Sequence, residues 1–254
     1  MMSTAYYNEI DPFAAQWLRN LIAAGHIAPG DVDERSIEDV KPNDLQGFTQ
    51  CHFFAGIGVW SYALRRAGWP DDKQVWTGSC PCQPFSSAGK KEGVADERHL
   101  WPAFFHLISQ CRPGVVFGEQ VASKNGLAWF DIVQADLETE NYASAAVDLC
   151  AASVGAAHIR QRLFFCATNT NGTRLPRAYE HEKPREAEIT SAWSEFTRIH
   201  ATADWKTWLS QSGNPALVDG SAGRVGRTRA YGNAICAPVA QVFIRSYIEC
   251  YSNE

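Results

Sequence analysis

A β-rich run, Gly47-Phe48-Thr49-Gln50-Cys51-His52-Phe53-Phe54, ends in Ala55-Gly56-Ile57-Gly58 and passes straight into a helix-period segment. That segment carries Trp60, Ala63, Leu64 and Ala67 and is closed by Gly68 and Pro70. Strand, glycine turn and helix make a βα unit, whose home is an α/β sheet; its glycines let a ligand approach the backbone closely. A Gly-x-Gly pair alone does not say which ligand.

The same grammar recurs on both sides. Tyr6 to Ile10 reads as a short strand, Asp11 as an N-cap with Pro12 at the first helical position, and Phe13, Trp17, Leu18, Leu21 and Ile22 as a helix stopped by Gly25. Glu9 thus stands at the carboxyl end of a strand, where a carboxylate either holds a ribose or is plain surface. Pro29-Gly30-Asp31-Val32 marks a second strand end and turn, and Ser36 to Val40 a single helical turn. Further along, Leu100 to Cys111 predicts an amphipathic helix, Pro113 to Glu119 a buried strand ending in a carboxylate, Phe130 to Leu137 a helix and Tyr142 to Leu149 a strand. His158 to Phe165 predicts a strand with Arg160 and Arg162 on one face by period two. Two arginines there suit an anion or a carbonyl; the alternative is an edge strand with a charged outer face. Pro238 to Tyr247 predicts a closing helix.

The chemistry-bearing stretch is Gly78-Ser79-Cys80-Pro81-Cys82-Gln83-Pro84-Phe85-Ser86, fed by the strand-like Gln74-Val75-Trp76-Thr77. Pro81 stiffens the approach because its φ is fixed. Cys82 is then either a nucleophile held on a stiff turn at a strand end or a buried structural cysteine. Residues 86–93 are polar and glycine-bearing and read as a loop.

Eight cysteines scattered over 254 residues do not form a secreted disulfide framework, so reduced thiols and a cytoplasmic setting are expected. Cys80 and Cys82 lack a second pair at zinc-ligand spacing, so no metal is expected. No signal peptide and no membrane-spanning run are read. Net charge is −5, unevenly placed: residues 1–154 carry 11 Lys and Arg against 19 Asp and Glu, and 155–230 carry 11 against 7. An acidic body with a basic second half fits a polyanion bound on one side or a chance asymmetry of a solvated surface. After Ala167 the composition turns to Asn, Thr, Arg, Pro, Glu and Ser with interspersed Trp193, Trp205 and Trp208, so 168–223 is expected to be a separate small module.

Together these pieces resemble the DNA cytosine-C5 methyltransferases. Phe54-Ala55-Gly56-Ile57-Gly58 resembles that family's cofactor motif, and Pro81-Cys82-Gln83 with Phe85-Ser86 its catalytic-loop motif. Asp96 to Trp101 is similar to its Arg-Gly-x-Leu-Phe helix start, Glu119-Gln120-Val121 to Glu-Asn-Val, Arg160-x-Arg162 to its paired arginines, and Gly232-Asn233-Ala234-Ile235 to its closing Gly-Asn motif. His52 stands where the family has aspartate, Val59 where it has glycine and Gln120 where it has asparagine. The motifs that would supply the ribose and adenine carboxylates, around Glu9 and Asp31, precede the glycine motif instead of following it. A permuted start is therefore expected, with a sheet order of 3-2-1-4 in family numbering preserved and only the connections rewired.

The resemblance implies an α/β, Rossmann-like S-adenosylmethionine-dependent methyltransferase sheet with helices on both faces. Residues 1–167 completed by 224–254 would form the catalytic domain, and 168–223 a small irregular target-recognition insertion. It implies methyl transfer from S-adenosylmethionine to C5 of a cytosine flipped out of double-stranded DNA by a monomer. Cys82 would be the nucleophile, Glu119 the acid at N3, and Arg162, supported by Arg160, the contact to O2. Phe54 would face the adenine, Glu9 the ribose and Asp31 the adenine amine, with Gly56 and Gly58 near the methionine part and Ile10, Pro81, Leu100 and Asn233 completing the cofactor site. Gln83, Ser86 and Arg227 would touch DNA. The alternatives are an inactive or regulatory relative, the same chemistry on RNA or a nucleotide, and a thiol redox or metal protein built on Cys80 and Cys82.

Overall fold

The computed structural model describes residues 4–81, 100–156, 158–171 and 234–252. Among the described residues, seven strands form one mixed sheet: β1 (Ala5–Asn8), β2 (Gly30–Asp33), β3 (Gln50–Phe53), β4 (Val75–Gly78), β5 (Val115–Val121), β6 (Tyr142–Cys150) and β7 (Gln161–Asn169). Their order in space is β2-β1-β3-β4-β5-β7-β6. The first five are parallel, and β7 runs antiparallel to both β5 and β6. Five α-helices are described: α1 (Pro12–Ala23), α2 (Val59–Ala67), α3 (Leu100–Cys111), α4 (Lys124–Thr139) and α5 (Ala237–Ser252).

The pleat sends alternate side chains to opposite faces, and the helices cover both. Tyr6, Phe53, Trp76, Val116 and Phe165 pack with Phe104 and Leu107 of α3 and Phe130 and Val133 of α4. On the other side Val75, Phe117 and Phe164 meet Trp60 and Leu64 of α2 and Phe243 and Tyr247 of α5. Tyr7, on that same side by register with His52, Thr77 and Phe117, packs with Leu18 of α1. Predicted helix faces on both sides of the sheet are therefore observed, and α3 has the predicted bounds.

Local chemistry explains the ends. Asp11 caps α1, its Oδ1 accepting from the N–H groups of Phe13 and Ala14 at 2.9 and 3.1 Å. Gly58, at φ +77°, opens α2 in the left-handed region; a Cβ there would meet Leu18 Cδ2 at 3.0 Å. Buried His52 is not an acid's replacement at a site. It stacks on Tyr7 with centroids 4.9 Å apart and hydrogen-bonds Thr77 at 2.8 Å.

Three expectations are corrected. Pro29-Gly30 begins β2 instead of ending a strand, because Gly30 lies so tight on β1 that a Cβ would sit 2.0 Å from the Ala5 carbonyl. Glu119 lies inside β5, which runs on to Val121 because β7 pairs with it as far as Val121 opposite Arg162. Finally, β7 is interior, between β5 and β6, so its arginines are not the outer face of an edge strand; it starts at Gln161, leaving Arg160 just ahead of it, and it continues to Asn169. The segment expected as a module over 168–223 begins inside β7, because Thr168 and Asn169 pair with β6 as part of the sheet; from 172 onward it lies outside the described residues.

Candidate active site

Because β1 to β5 are parallel, their carboxyl ends share one edge of the sheet, where α/β folds bind ligands. Antiparallel β7 brings its amino end to that same edge. A cleft of about 630 Å³ opens there, within the usual size of a small-molecule site. Its lining includes Glu9, Ile10, Phe54, Gly56, Pro81 and Leu100 together with Glu119, Arg160 and Arg162.

Glu9 sits one residue past β1, and its two carboxylate oxygens accept from two backbone groups, Asp11 N–H at 2.9 Å and Gly56 N–H at 2.6 Å. It therefore ties the β1–α1 turn to the glycine turn. Ile10 is 65% exposed on the cleft wall, and Phe54, at φ +51°, sets its ring edge-on to Phe104 at 6.2 Å. Both present apolar faces to whatever fills the cleft. The first turn of α2 has no side-chain cap at Gly58, and Ile57, Val59 and Trp60 line the cleft, so a helix amino terminus faces it.

At the other end stands an ionic cluster. Arg162 Nε meets Glu119 Oε1 at 2.7 Å, with Glu119 6% exposed. Burial is the largest influence on the Glu119 carboxyl and raises its pKa above the ordinary carboxylate range, opposed by the Arg162 and Arg160 guanidinium groups and by a Ser79 hydrogen bond. Burial lowers the Arg160 pKa. Next to Glu119, Gln120 is 3% exposed and donates from Nε2 to the Cys80 carbonyl at 3.3 Å. Cys80 itself is buried, which pushes its thiol pKa well up and leaves it protonated near neutral pH.

Of the predicted site residues that are described, Asp31 and Gly58 are absent from the cleft lining, and Asp31 lies away from it. It is exposed on β2, opposite Tyr6 and two positions short of the strand's end, and Arg35, Ser36 and Ile37 beyond that end line the cleft instead. Gly58 is not in the lining but starts the helix that is. Cys82, Gln83, Ser86, Arg227 and Asn233 lie outside the described residues. Trp60 and Ser79 were missed as site residues: Trp60 reads as core by its helical spacing, and one serine before a cysteine carries no pattern.

A family model for the C-5 cytosine-specific DNA methylases matches residues 63–211. The chain belongs to this family. Among curated relatives, the Type II methyltransferase M.NgoMIV of Neisseria gonorrhoeae is 30% identical over 164 residues, 58% of this chain and 49% of that protein. M.AplI of Arthrospira platensis is 32% identical over 98 residues, 38% of this chain and 28% of that one. The chain thus spans half or less of the length of these relatives. Among solved structures, a putative DNA modification methyltransferase encoded within an E. coli prophage aligns with a TM-score of 0.48 at 18% identity, over 72% of this chain and 44% of that one. A Spodoptera frugiperda DNMT2 variant aligns with a TM-score of 0.44 at 16% identity, over 71% and 45%.

Proposed function

We propose that this methylase-family chain transfers a methyl group from S-adenosylmethionine to C5 of a cytosine extruded from double-stranded DNA. The observation that carries the reading is the joining, in one cleft, of the Glu9–glycine-turn corner with the Glu119–Arg162 pair and Pro81.

The cleft suits the cofactor. Ile10 and Phe54 offer apolar walls to an adenine, Glu9 offers carboxylate lone pairs to ribose hydroxyls, and the uncapped start of α2 favours the carboxylate of the methionine part. Pro81 and Leu100 line the same cleft and would complete the cofactor's site. When bound, S-adenosylmethionine supplies an electrophilic methyl group to C5.

Cytosine C5 is too weakly nucleophilic to take that group unaided. Addition of the Cys82 thiolate at C6 makes C5 enamine-like. The charge this pushes onto the ring goes to N3, where Glu119 donates a proton; its raised proton affinity supports that role. Arg162, already held against Glu119, has the planar donor fork to meet the base carbonyl O2, with Arg160 beside it. Water takes the C5 proton, N3 returns its proton to Glu119, and the Cys82 sulfur leaves as thiolate, which restores the aromatic ring. A stacked base hides C6, so the cytosine leaves the duplex at a cost of a few kcal/mol.

Three further readings belong here. The family order is permuted: the ribose strand and its neighbour come first in the chain, and the observed β2-β1-β3-β4 arrangement supports this. The 168–223 segment beyond the end of β7 at Asn169 forms the target-recognition module, supported by the basic balance of 155–230; mapping methylated sites after swapping that part tests it. One cleft suffices for one extruded base, so a monomer is expected, checked by sedimentation with and without DNA.

The deciding experiment is labelled methyl transfer to unmethylated duplex DNA, RNA and free nucleotide, with Cys82→Ser as control. A duplex carrying 5-fluorocytosine, with methyl donor, should trap protein covalently on DNA. Transfer to RNA alone, or donor binding with neither transfer nor trapping, overturns the proposal.

A further inference from the structure

Beside the first cleft lies a second one of about 610 Å³. The two share Ile57, Val59, Arg160 and Arg162, so they meet at the Arg162–Glu119 pair. The charge of the second cleft has one sign. Arg160, Arg162 and His158 line it, and among the described residues no Asp or Glu does. Setting Glu119 of the neighbouring cleft against the two guanidinium groups still leaves a positive sum. Cys236 lines it too, and its carbonyl accepts from the Ala240 N–H in the first turn of α5, so the amino end of that helix adds to the positive field.

The approach to β7 climbs outward from the shared floor. The Arg162 side chain is 20% exposed, Arg160 is half-buried just ahead of the strand, and Ile159 and His158 are exposed. At 84%, Ile159 is the most exposed large apolar side chain among the described residues. Its turn is not loose: the Arg160 carbonyl accepts from the Ala151 N–H at 3.0 Å, which ties the turn to the end of β6.

We propose that the second cleft seats the sugar–phosphate backbone beside the extruded cytosine. The seat rests on the reading of Glu119 and Arg162 as the base site. A base that reaches Arg162 stays bonded to its deoxyribose, and that sugar carries a phosphate on either side. Those groups lie between the base site and solvent, where Arg160, Ile159 and His158 form the wall. The chemistry of the wall alternates as the backbone does. Ile159 packs on the apolar carbons of a deoxyribose, and the His158 imidazole donates to a phosphate oxygen. Neither contact reads a base edge, so both place the strand whatever the target sequence is.

The test compares Ile159→Ser, Ile159→Asp and His158→Ala with the parent full chain, and with Ile132→Ser, an exposed position on α4 that lines neither cleft. Filter binding of labelled, unmethylated genomic DNA fragments gives DNA affinity. Calorimetry with the demethylated cofactor product gives affinity at the first cleft. Ile159→Ser should weaken DNA binding about tenfold, and Ile159→Asp further, because its carboxylate faces phosphates. His158→Ala should cost about threefold. Product affinity should stay parental throughout, and Ile132→Ser should match the parent in both assays. Parental DNA affinity in both Ile159 variants overturns the seat, and methyl transfer by the parent then leaves the proposed activity standing. Lost product affinity in Ile159→Asp also overturns it, since the second cleft would belong to the cofactor. So does an Ile159→Ser melting midpoint several degrees below the parent's, which would mean that another stretch of this chain covers the isoleucine. A parent chain that binds the product but neither retains nor methylates DNA overturns the seat and the proposed activity together.

Discussion

Replacing Glu9 by glutamine tests the corner on which the cofactor half of the cleft is built. The carboxylate receives two backbone donors, Gly56 N–H at 2.6 Å and Asp11 N–H at 2.9 Å, one on each oxygen. An amide of the same shape has one acceptor oxygen and one donor nitrogen. Whichever way it turns, one backbone N–H faces an NH₂ group and loses its partner. A donor left unsatisfied in a half-buried place costs about 1–3 kcal/mol. For a chain of this size the thermal midpoint moves roughly 2–4 °C per kcal/mol, so Glu9→Gln should melt a few degrees early. The proposed contact from Glu9 to the ribose would weaken as well, because a charge-assisted bond becomes a neutral one; affinity for the methyl donor should fall about tenfold or more. Differential scanning fluorimetry and titration calorimetry with S-adenosylmethionine or its demethylated product measure the two effects separately. A variant with parental melting and parental donor affinity would show that the two motif turns are not joined through Glu9.

Three further outcomes are expected. Gly58→Ala forces a side chain into a left-handed position at φ +77° and against Leu18 and Ile27, so it should cost about 1–2 kcal/mol in denaturant unfolding; an unchanged midpoint would show that the turn relaxes freely. His52 is fully buried and its pKa is lowered to about 3 by burial, against an ordinary value near 6.5. Between those values the unfolded chain binds the proton and the folded one does not, so stability falls as the pH drops below about 6.5, by up to about 1.4 kcal/mol per pH unit. His52→Gln should remove that slope from pH-dependent unfolding, and an identical slope in the variant would refute the assignment. Gln120→Ala frees the Cys80 carbonyl that leads into Pro81 and Cys82; turnover should drop severalfold with donor affinity unchanged, whereas a parental rate would mean that this bond does not position the turn.

Much of the architecture was legible because its signals are local. Asp11-Pro12 at the start of α1, Gly58 and Gly68 at the ends of α2, and the apolar spacing of Leu100 to Cys111 each act within a turn or two of backbone. Asp31 shows where local signals mislead. Pro-Gly reads as a turn, yet the close approach of β1 needs that glycine inside a strand, and the parallel register then sets Asp31 opposite Tyr6 and out of the cleft. The Trp60–Ser79 hydrogen bond and the Arg162–Glu119 pair each join segments far apart in the chain, and no periodicity announces them.

By itself the sequence determined the alternation of strands and helices and the kinds of groups available: a thiol on a proline-stiffened turn, a glutamate on an apolar strand and two arginines one residue apart. Only the tertiary structure decided how they meet. Because β7 runs against β5, its beginning lies at the carboxyl end of the sheet, and Arg162 reaches Glu119 across 2.7 Å. Strand direction and register depend on pairing between residues more than forty positions apart, and that pairing is decided by which faces bury together, a property of the assembled sheet that no short stretch of chain encodes.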